Sequence, residues 1–165
     1  MKSLIKNKLR KRDVVHSVLT GILLTSLLFN SYFIFMNFNR NRVVRVVDGD
    51  SFETKDGRRI RLLGLDAPEI NNCMGFQAKD VLEILISGKV VSLKDQVRDD
   101  YGRNLANVFT ISTFVNKEMI KRGLGKYNSG DKKYEEELRN AYLAAKDKEL
   151  GIFSALCRQM EEEPG

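Results

Sequence analysis

The stretch VVRVVDGDSFETKDGRRIRLLGL, residues 43–65, decides the fold. Val43–Val47 is β-branched and alternating, which predicts a strand. Asp48-Gly49-Asp50 reads as a tight turn. Ser51–Thr54 follows as a second strand, and Asp56-Gly57 is a strong hairpin signal. Arg59–Leu65 predicts a third strand, which Ala67-Pro68 breaks.

Downstream the period changes. From Gly75 to Ser87 the residues Ala78, Val81, Leu82, Leu85 and Ile86 fall on one helical face, and Gly88 ends the helix. Lys89–Leu93 predicts a strand, Asp99 to Gly102 a turn and Asn104–Thr110 another strand. Asn116 to Arg122 predicts a short helix closed by Gly123. Asp131 would cap a long helix running to Leu150, with Tyr134, Leu138, Ala141, Tyr142 and Ala145 as its apolar stripe. The fold class expected is therefore α+β with a mainly β core, a small five-stranded barrel covered by about three helices. No internal repeat is visible.

Upstream the chain is of another kind. Residues 1–13 carry six Lys/Arg, and Val14 to Phe38 contains no Lys, Arg, Asp or Glu. A helix needs roughly 20 apolar residues to cross a bilayer. Ser and Thr within the run are tolerable because their hydroxyls bond back to helix carbonyls. Positive charge ahead of the run places the N-terminus in the cytoplasm and the remainder outside. The expected organisation is a basic segment 1–13, a transmembrane signal-anchor 14–38, a linker 39–42, a folded domain 43–157 and an acidic, frayed tail 158–165. A cleaved signal peptide with secretion of the domain, and a buried soluble helix, are the competing readings. No small-x-small cleavage site follows the run. The lone histidine, His16, reads as an interfacial polar residue.

Composition bounds the rest. Of 165 residues, 42% are hydrophobic and 30% charged, with 2 Pro and 12 Gly, which excludes a disordered or collagen-like chain. Two Cys and one His cannot build a four-ligand zinc site by themselves. Residues 1–42 hold 8 Lys/Arg and one Asp, while residues 43–165 hold 20 Lys/Arg and 21 Asp/Glu. The net +6 thus belongs to the first quarter and gives no evidence that the domain binds polyanions.

Within the domain, charge sits at strand ends. Asp48, Asp50, Asp66, Glu69, Arg61 and Arg103 are each explicable singly, as turn formers or solvated residues. Arg61 lies amid Ile60, Leu62 and Leu63, where an arginine is usually paired. Taken together, carboxylates and arginines in this arrangement are what phosphodiester cleavage needs. A hard cation takes carboxylate oxygens, a further carboxylate orients or deprotonates water, and guanidinium groups neutralise charge on the phosphoryl oxygens.

The segments VVDGDSF (46–52), IRLLGLDAPE (60–69) and DYGRNLA (100–106) resemble the staphylococcal nuclease (thermonuclease) family. VNKEMIKRGL (115–124) and KELGIFS (148–154) support the likeness, which runs from about Val43 to Ser154. The resemblance implies a five-stranded OB-fold barrel with three helices and a Ca²⁺-dependent nuclease acting on DNA and RNA. It implies that Asp50, Asp66 and the main-chain carbonyl of Ala67 bind Ca²⁺, that Glu69 holds the attacking water, and that Arg61 and Arg103 stabilise the phosphoryl transition state. Asp48 is expected as a turn residue behind the ligands. Tyr101 keeps the option of a nucleotide phosphate or base-stacking contact. Tyr127 is either a residue near the nucleotide or a plain barrel-surface tyrosine.

The chain departs from the family in three places. Ala67 stands where members often have Thr, Asp100 stands where a Lys can help bind phosphate, and the stretch between Glu69 and Gly75 is short. Cys73 and Cys157 flank the helical part of the domain. A disulfide between them is allowed if the domain lies outside the membrane, and two free thiols are the alternative.

The function expected is a membrane-anchored, extracytoplasmic, metal-dependent endonuclease. The alternative is a catalytically silent OB-type nucleic-acid-binding module at the cell surface. That alternative leaves Asp50, Asp66 and Glu69 unexplained. DNA and RNA would be substrates and the lipid bilayer a partner through the N-terminal helix. No protein partner is implied, and a monomeric domain is expected.

Overall fold

A computed structural model describes residues 2–129 and 132–162. It divides into two units, residues 1–38 and residues 39–165.

The first unit is carried by helix α1 (Lys2–Arg40). Within it, Asp13–Met36 has a mean hydropathy of 1.8 and no buried residue. Among the described residues this is one helix long and apolar enough to cross a membrane, by length and composition. Three of its polar side chains bond back to the helix itself. Thr20 Oγ1 donates to the His16 carbonyl (2.7 Å), Thr25 Oγ1 to the Gly21 carbonyl (3.0 Å) and Asn30 Nδ2 to the Ser26 carbonyl (2.9 Å).

The second unit is built on a five-stranded sheet. Its strands are β1 (Val43–Val46), β2 (Ser51–Thr54), β3 (Arg59–Leu62), β5 (Ser92–Arg98) and β6 (Asn104–Phe109), in the order β1-β2-β3-β6-β5. All neighbours are antiparallel except β3 and β6, which run parallel with Ile60 opposite Asn104 and Leu62 opposite Ala106. The main-chain N–H groups of Val43 and Val91 donate to the carbonyls of Lys89 (2.9 Å) and Asn41 (3.2 Å), so the two edges of the sheet meet at one end.

Two expected strands differ from the structure. The run Arg59–Leu65 is not continuous. Gly64 adopts φ +74°, and the chain turns at Leu63-Gly64 into β4 (Leu65–Asp66), which pairs with β7 (Lys126–Tyr127) in a separate two-stranded sheet. The strand expected at Lys89–Leu93 begins instead at Ser92. Residues 88–91 are occupied in bonding back to residues 41–43, and the pairing with β6 extends through the polar run to Arg98. That run is mostly exposed on both faces, so no hydrophobic alternation marked it.

Among the described residues four helices complete the domain: α2 (Gly75–Ile86), α3 (Val115–Lys121), α4 (Glu135–Asp147) and α5 (Ala155–Glu162). They bury Ala78, Leu82 and Ile86 of α2, Met119 and Ile120 of α3, and Leu138 and Ala141 of α4 against Phe52, Ile60, Leu62, Ala106 and Val108. Asp131, expected as a cap, lies outside the described residues. α4 starts later, at Glu135, where three successive glutamates complement the positive helix end. It stops at Asp147, because Glu149 takes φ +52° and a 3₁₀ turn (Gly151–Phe153) follows, so the helix does not reach Leu150. The tail expected at 158–165 is described only as far as Glu162. Residues up to Glu162 form α5, held by Cys157 and by Arg158, which donates to the Phe153 carbonyl (2.9 Å) and pairs with Glu149 (2.8 Å).

Candidate active site

The turn between β1 and β2 places Asp50. Asp48 Oδ1 accepts the Asp50 N–H (3.1 Å), which ties the turn, and Asp48 Oδ2 lies 3.4 Å from Arg59. A Cβ on Gly49 would sit 2.7 Å from the Ala78 Cβ and 2.8 Å from the Ala67 Cβ, so only glycine lets the turn pack this close. The Asp50 side chain is 3% exposed. Its oxygens accept from Ser51 Oγ (2.8 Å) and the Ala67 N–H (3.1 Å). Burial pushes the Asp50 carboxyl up to about 6, against the pull of Arg61 and the Ala67 N–H.

Arg61 on β3 reaches the same place. One nitrogen, Nη2, lies 2.8 Å from Asp50 Oδ2 and 2.5 Å from Asp66 Oδ1. The arginine set among apolar neighbours is therefore paired twice. Asp66 comes from β4 and is exposed.

Beyond Asp66 the chain opens a cleft of about 520 Å³. It is lined by Asp66, Ala67, Glu69, Asn71 and Asn72, with Lys126 of β7 across from them. Glu69 is exposed and makes no ion pair or side-chain hydrogen bond among the described residues. Its main chain is fixed nonetheless. The Glu69 carbonyl accepts the Asn72 N–H (2.8 Å), and a Cβ on Gly75 would fall 2.0 Å from that carbonyl oxygen. Cys73 and Cys157 are joined as a disulfide, with Cα atoms 5.5 Å apart, in the wall of this cleft.

A second cleft of about 250 Å³ lies on the other side of the Arg61–Asp66 pair, lined by Ser51, Arg59, Arg61, Tyr101, Gly102, Arg103 and Asn104. Gly102 at φ +76° turns the β5–β6 hairpin back. Asp99 orders it by accepting the N–H groups of Tyr101 (3.0 Å) and Arg103 (2.8 Å) and the Arg103 Nε–H (2.5 Å). Burial raises the Asp99 carboxyl, but these bonds and the Arg103 charge outweigh it and leave the group below the usual carboxylate range. The Asp99 hydrogen bond chiefly, with Coulombic help from Asp99 and Asp50, holds the Arg103 guanidinium above its ordinary value. Its guanidinium lies 5.3 Å from the Tyr101 ring centre, and Tyr101 is 85% exposed.

Of the residues expected at the site, Asp50, Arg61 and Asp66 are brought into direct contact. Ala67 bonds Asp50 through its N–H, Glu69 lines the larger cleft, and Arg103 and Tyr101 line the smaller. Tyr127 lines neither. It pairs with Leu65 and packs on the core. Arg59, Asn104 and Lys126 were missed. Arg59 was legible, since residues two apart on a strand share a face with Arg61. Lys126 was not, because only the β4–β7 pairing brings it there.

The donor set can be tested against a hard divalent cation. Among the described residues no group of three or more His, Cys, Asp and Glu side chains gathers as a metal centre. Two carboxylates do converge on one cationic nitrogen. Carboxylate oxygens gathered around a positive charge are the donor type that a hard divalent cation takes.

Residues 59–155 match the family described as Staphylococcal nuclease homologue. The chain belongs to this family. Asp50 and its turn lie upstream of the matched segment. The chain is 42% identical over 86 residues to an uncharacterized endonuclease of Escherichia coli O157:H7, covering 50% of this chain and 56% of that one. It is 37% identical over 90 residues to an uncharacterized endonuclease of Haemophilus influenzae, covering 52% and 51%. It is 32% identical over 126 residues to the thermonuclease of Staphylococcus hyicus, covering 68% and 75%. The chain thus spans about half the length of the two endonucleases.

Proposed function

We propose that the protein is a Ca²⁺-dependent phosphodiesterase, an endonuclease that hydrolyses DNA and RNA, held at the outer face of a membrane by α1. The observation that carries the reading is the convergence of Asp50 and Asp66 on Arg61, between one cleft holding Glu69 and another holding Arg103. The meeting of the sheet edges supports a closed OB-type barrel.

In this reading Asp50, Asp66 and the Ala67 carbonyl hold the calcium ion. When bound, the ion supplies positive charge against a phosphoryl oxygen. Glu69, unpaired beside the ligands, accepts a hydrogen bond from the attacking water and takes its proton. Arg61 and Arg103 donate to the non-bridging phosphoryl oxygens and gain strength as charge builds there. Tyr101, exposed beside Arg103, offers its ring to a base.

The placement rests on the apolar Asp13–Met36 segment and the basic residues before it. The Cys73–Cys157 disulfide is in keeping with an oxidising compartment. Secretion after cleavage would leave the same domain outside.

The test is cleavage of single-stranded DNA and of RNA by the full chain in nonionic detergent, with Ca²⁺, with Mg²⁺ and with excess chelator. Ca²⁺-dependent cutting is expected. Glu69→Gln should lower it by about 10²–10⁴-fold and Arg61→Ala by about 10²–10³-fold. Intact substrate under every condition, from folded protein, refutes the enzyme. A gel shift on the same samples then tells whether the domain is a silent binding module.

A further inference from the structure

Arg59 has no part in the reading above, yet it lines the same cleft as Arg61, Arg103 and Tyr101. Arg59 and Arg61 stand two apart on β3, so their side chains leave one face of the strand about 6.6 Å apart. That separation is comparable to one nucleotide step along an extended strand. The three arginines differ in how firmly they are engaged. Arg61 is clamped by two carboxylates and Arg103 by Asp99. Among the described residues Arg59 makes one ion pair, a 3.4 Å contact with Asp48, with the Glu53 charge acting on it at longer range, and its side chain is 59% exposed. Across the ladder it faces Glu53, which is already held by both guanidinium nitrogens of Arg45 that reach it (2.6 and 3.1 Å). Its main chain is pinned to β6, because Asn104 Nδ2 donates to the Arg59 carbonyl (3.4 Å). An anchored backbone, a loosely held guanidinium and a cleft shared with two phosphate-directed arginines describe a binding group whose natural ligand is a further anion.

We propose that Arg59 grips the phosphate adjacent to the scissile one, so that the site favours a strand carrying a neighbouring phosphate over a mononucleotide. This rests on the nuclease reading. A residue at this position acts on binding rather than on the reacting phosphoryl group. Its removal raises KM for a strand and leaves kcat in place.

The experiment measures equilibrium binding by the full chain in nonionic detergent with Ca²⁺, in a Glu69→Gln background that prevents turnover. The probes are a short oligothymidylate and thymidine monophosphate, each titrated across a salt series. Each phosphate contact on a single strand contributes about 0.7 to the slope of log K against log salt. Adding Arg59→Gln should make the oligothymidylate slope shallower by about 0.7 and weaken that complex several-fold, with the mononucleotide unchanged. Arg59→Lys keeps the charge and should keep the slope, and Arg59→Met, which removes the charge but keeps the aliphatic stem, should show the same loss as Arg59→Gln and replaces it if the glutamine variant is destabilised. An unchanged oligothymidylate slope in Arg59→Gln overturns the proposal while the nuclease reading stands. Equal weakening of both probes also overturns it, since Arg59 would then be acting on the central site. Failure of folded Glu69→Gln protein to bind either probe refutes the nuclease reading, and the proposal with it.

Discussion

Asn116 is fully buried at the start of α3, and its side chain is bonded at both ends. Oδ1 accepts the Val108 N–H (2.9 Å), and Nδ2 donates to the carbonyls of Leu63 (2.8 Å) and Ala106 (3.2 Å). One amide therefore clips β6 to the turn that launches β4 and Asp66. Asn116→Ala removes all of this at once. The Ala106 carbonyl keeps its bond from the Leu63 N–H (2.9 Å), but the Val108 N–H and the Leu63 carbonyl lose the partners they have here. Leaving a buried polar group unsatisfied costs about 1–3 kcal/mol, so two give about 4 kcal/mol. That is a large share of a typical domain stability of about 5–15 kcal/mol. Urea unfolding of wild type and variant, with m unchanged, reads the difference directly. Asn116→Asp keeps the acceptor for Val108 but loses the donors and buries a charge, so it should fare no better than alanine. A loss below about 1 kcal/mol for the alanine variant refutes the reasoning, because the two main-chain groups would then have found other partners.

Reducing the Cys73–Cys157 bond, or changing both residues to serine, should lower unfolding stability by up to about 4.5 kcal/mol, the chain-entropy value for a loop with a sequence separation of 84. Chemical unfolding with and without reductant measures it. Gly75→Ala drives a Cβ against the Glu69 carbonyl and should cost nuclease activity, read as initial rate, in excess of any change in melting temperature. Asp99 is held below its ordinary pKa, so its contribution is present above the unfolded value of about 3.9 and is lost as pH falls through the lower folded value. The Arg103 Nε–H resonance should accordingly shift in acid to its position in the Asp99→Asn variant. A resonance that stays put in acid refutes the pairing.

Much of the sheet was legible because β1 to β3 combine alternating β-branched residues with two short turns, and each signal agrees with the next. Arg61 was legible as a paired residue because its sequence neighbours are apolar. Asp50 stood out only as half of an Asp-Gly-Asp turn, and nothing local announced its near-complete burial against Ala67. Strand β5 was displaced because its polar residues are exposed on both sides and carry no period. Asn116 and Lys126 were invisible as site supports. Their roles depend on backbone partners from the Leu63 turn, β4 and β6, which sequence order keeps far apart. The late start of α4 turned on a run of glutamates doing the work expected of a single capping side chain.

The parallel pairing of β3 with β6 sets the order in which the molecule can mature. Strands β1 to β3 join through turns of a few residues and close with little entropic cost. The β3–β6 ladder forms only after the whole of segment 63–103 has been looped out, which makes it a high-contact-order step and a slow one. Asp50 and Arg61 belong to the early hairpins, whereas Arg103 arrives with β6, Asn116 after it, and Asp66 is fixed only when β4 pairs with β7. A chain emerging from its N-terminus therefore pairs Asp50 with Arg61 well before Asp66 and Arg103 are in place. Refolding kinetics followed by activity should lag behind those followed by formation of the first hairpins.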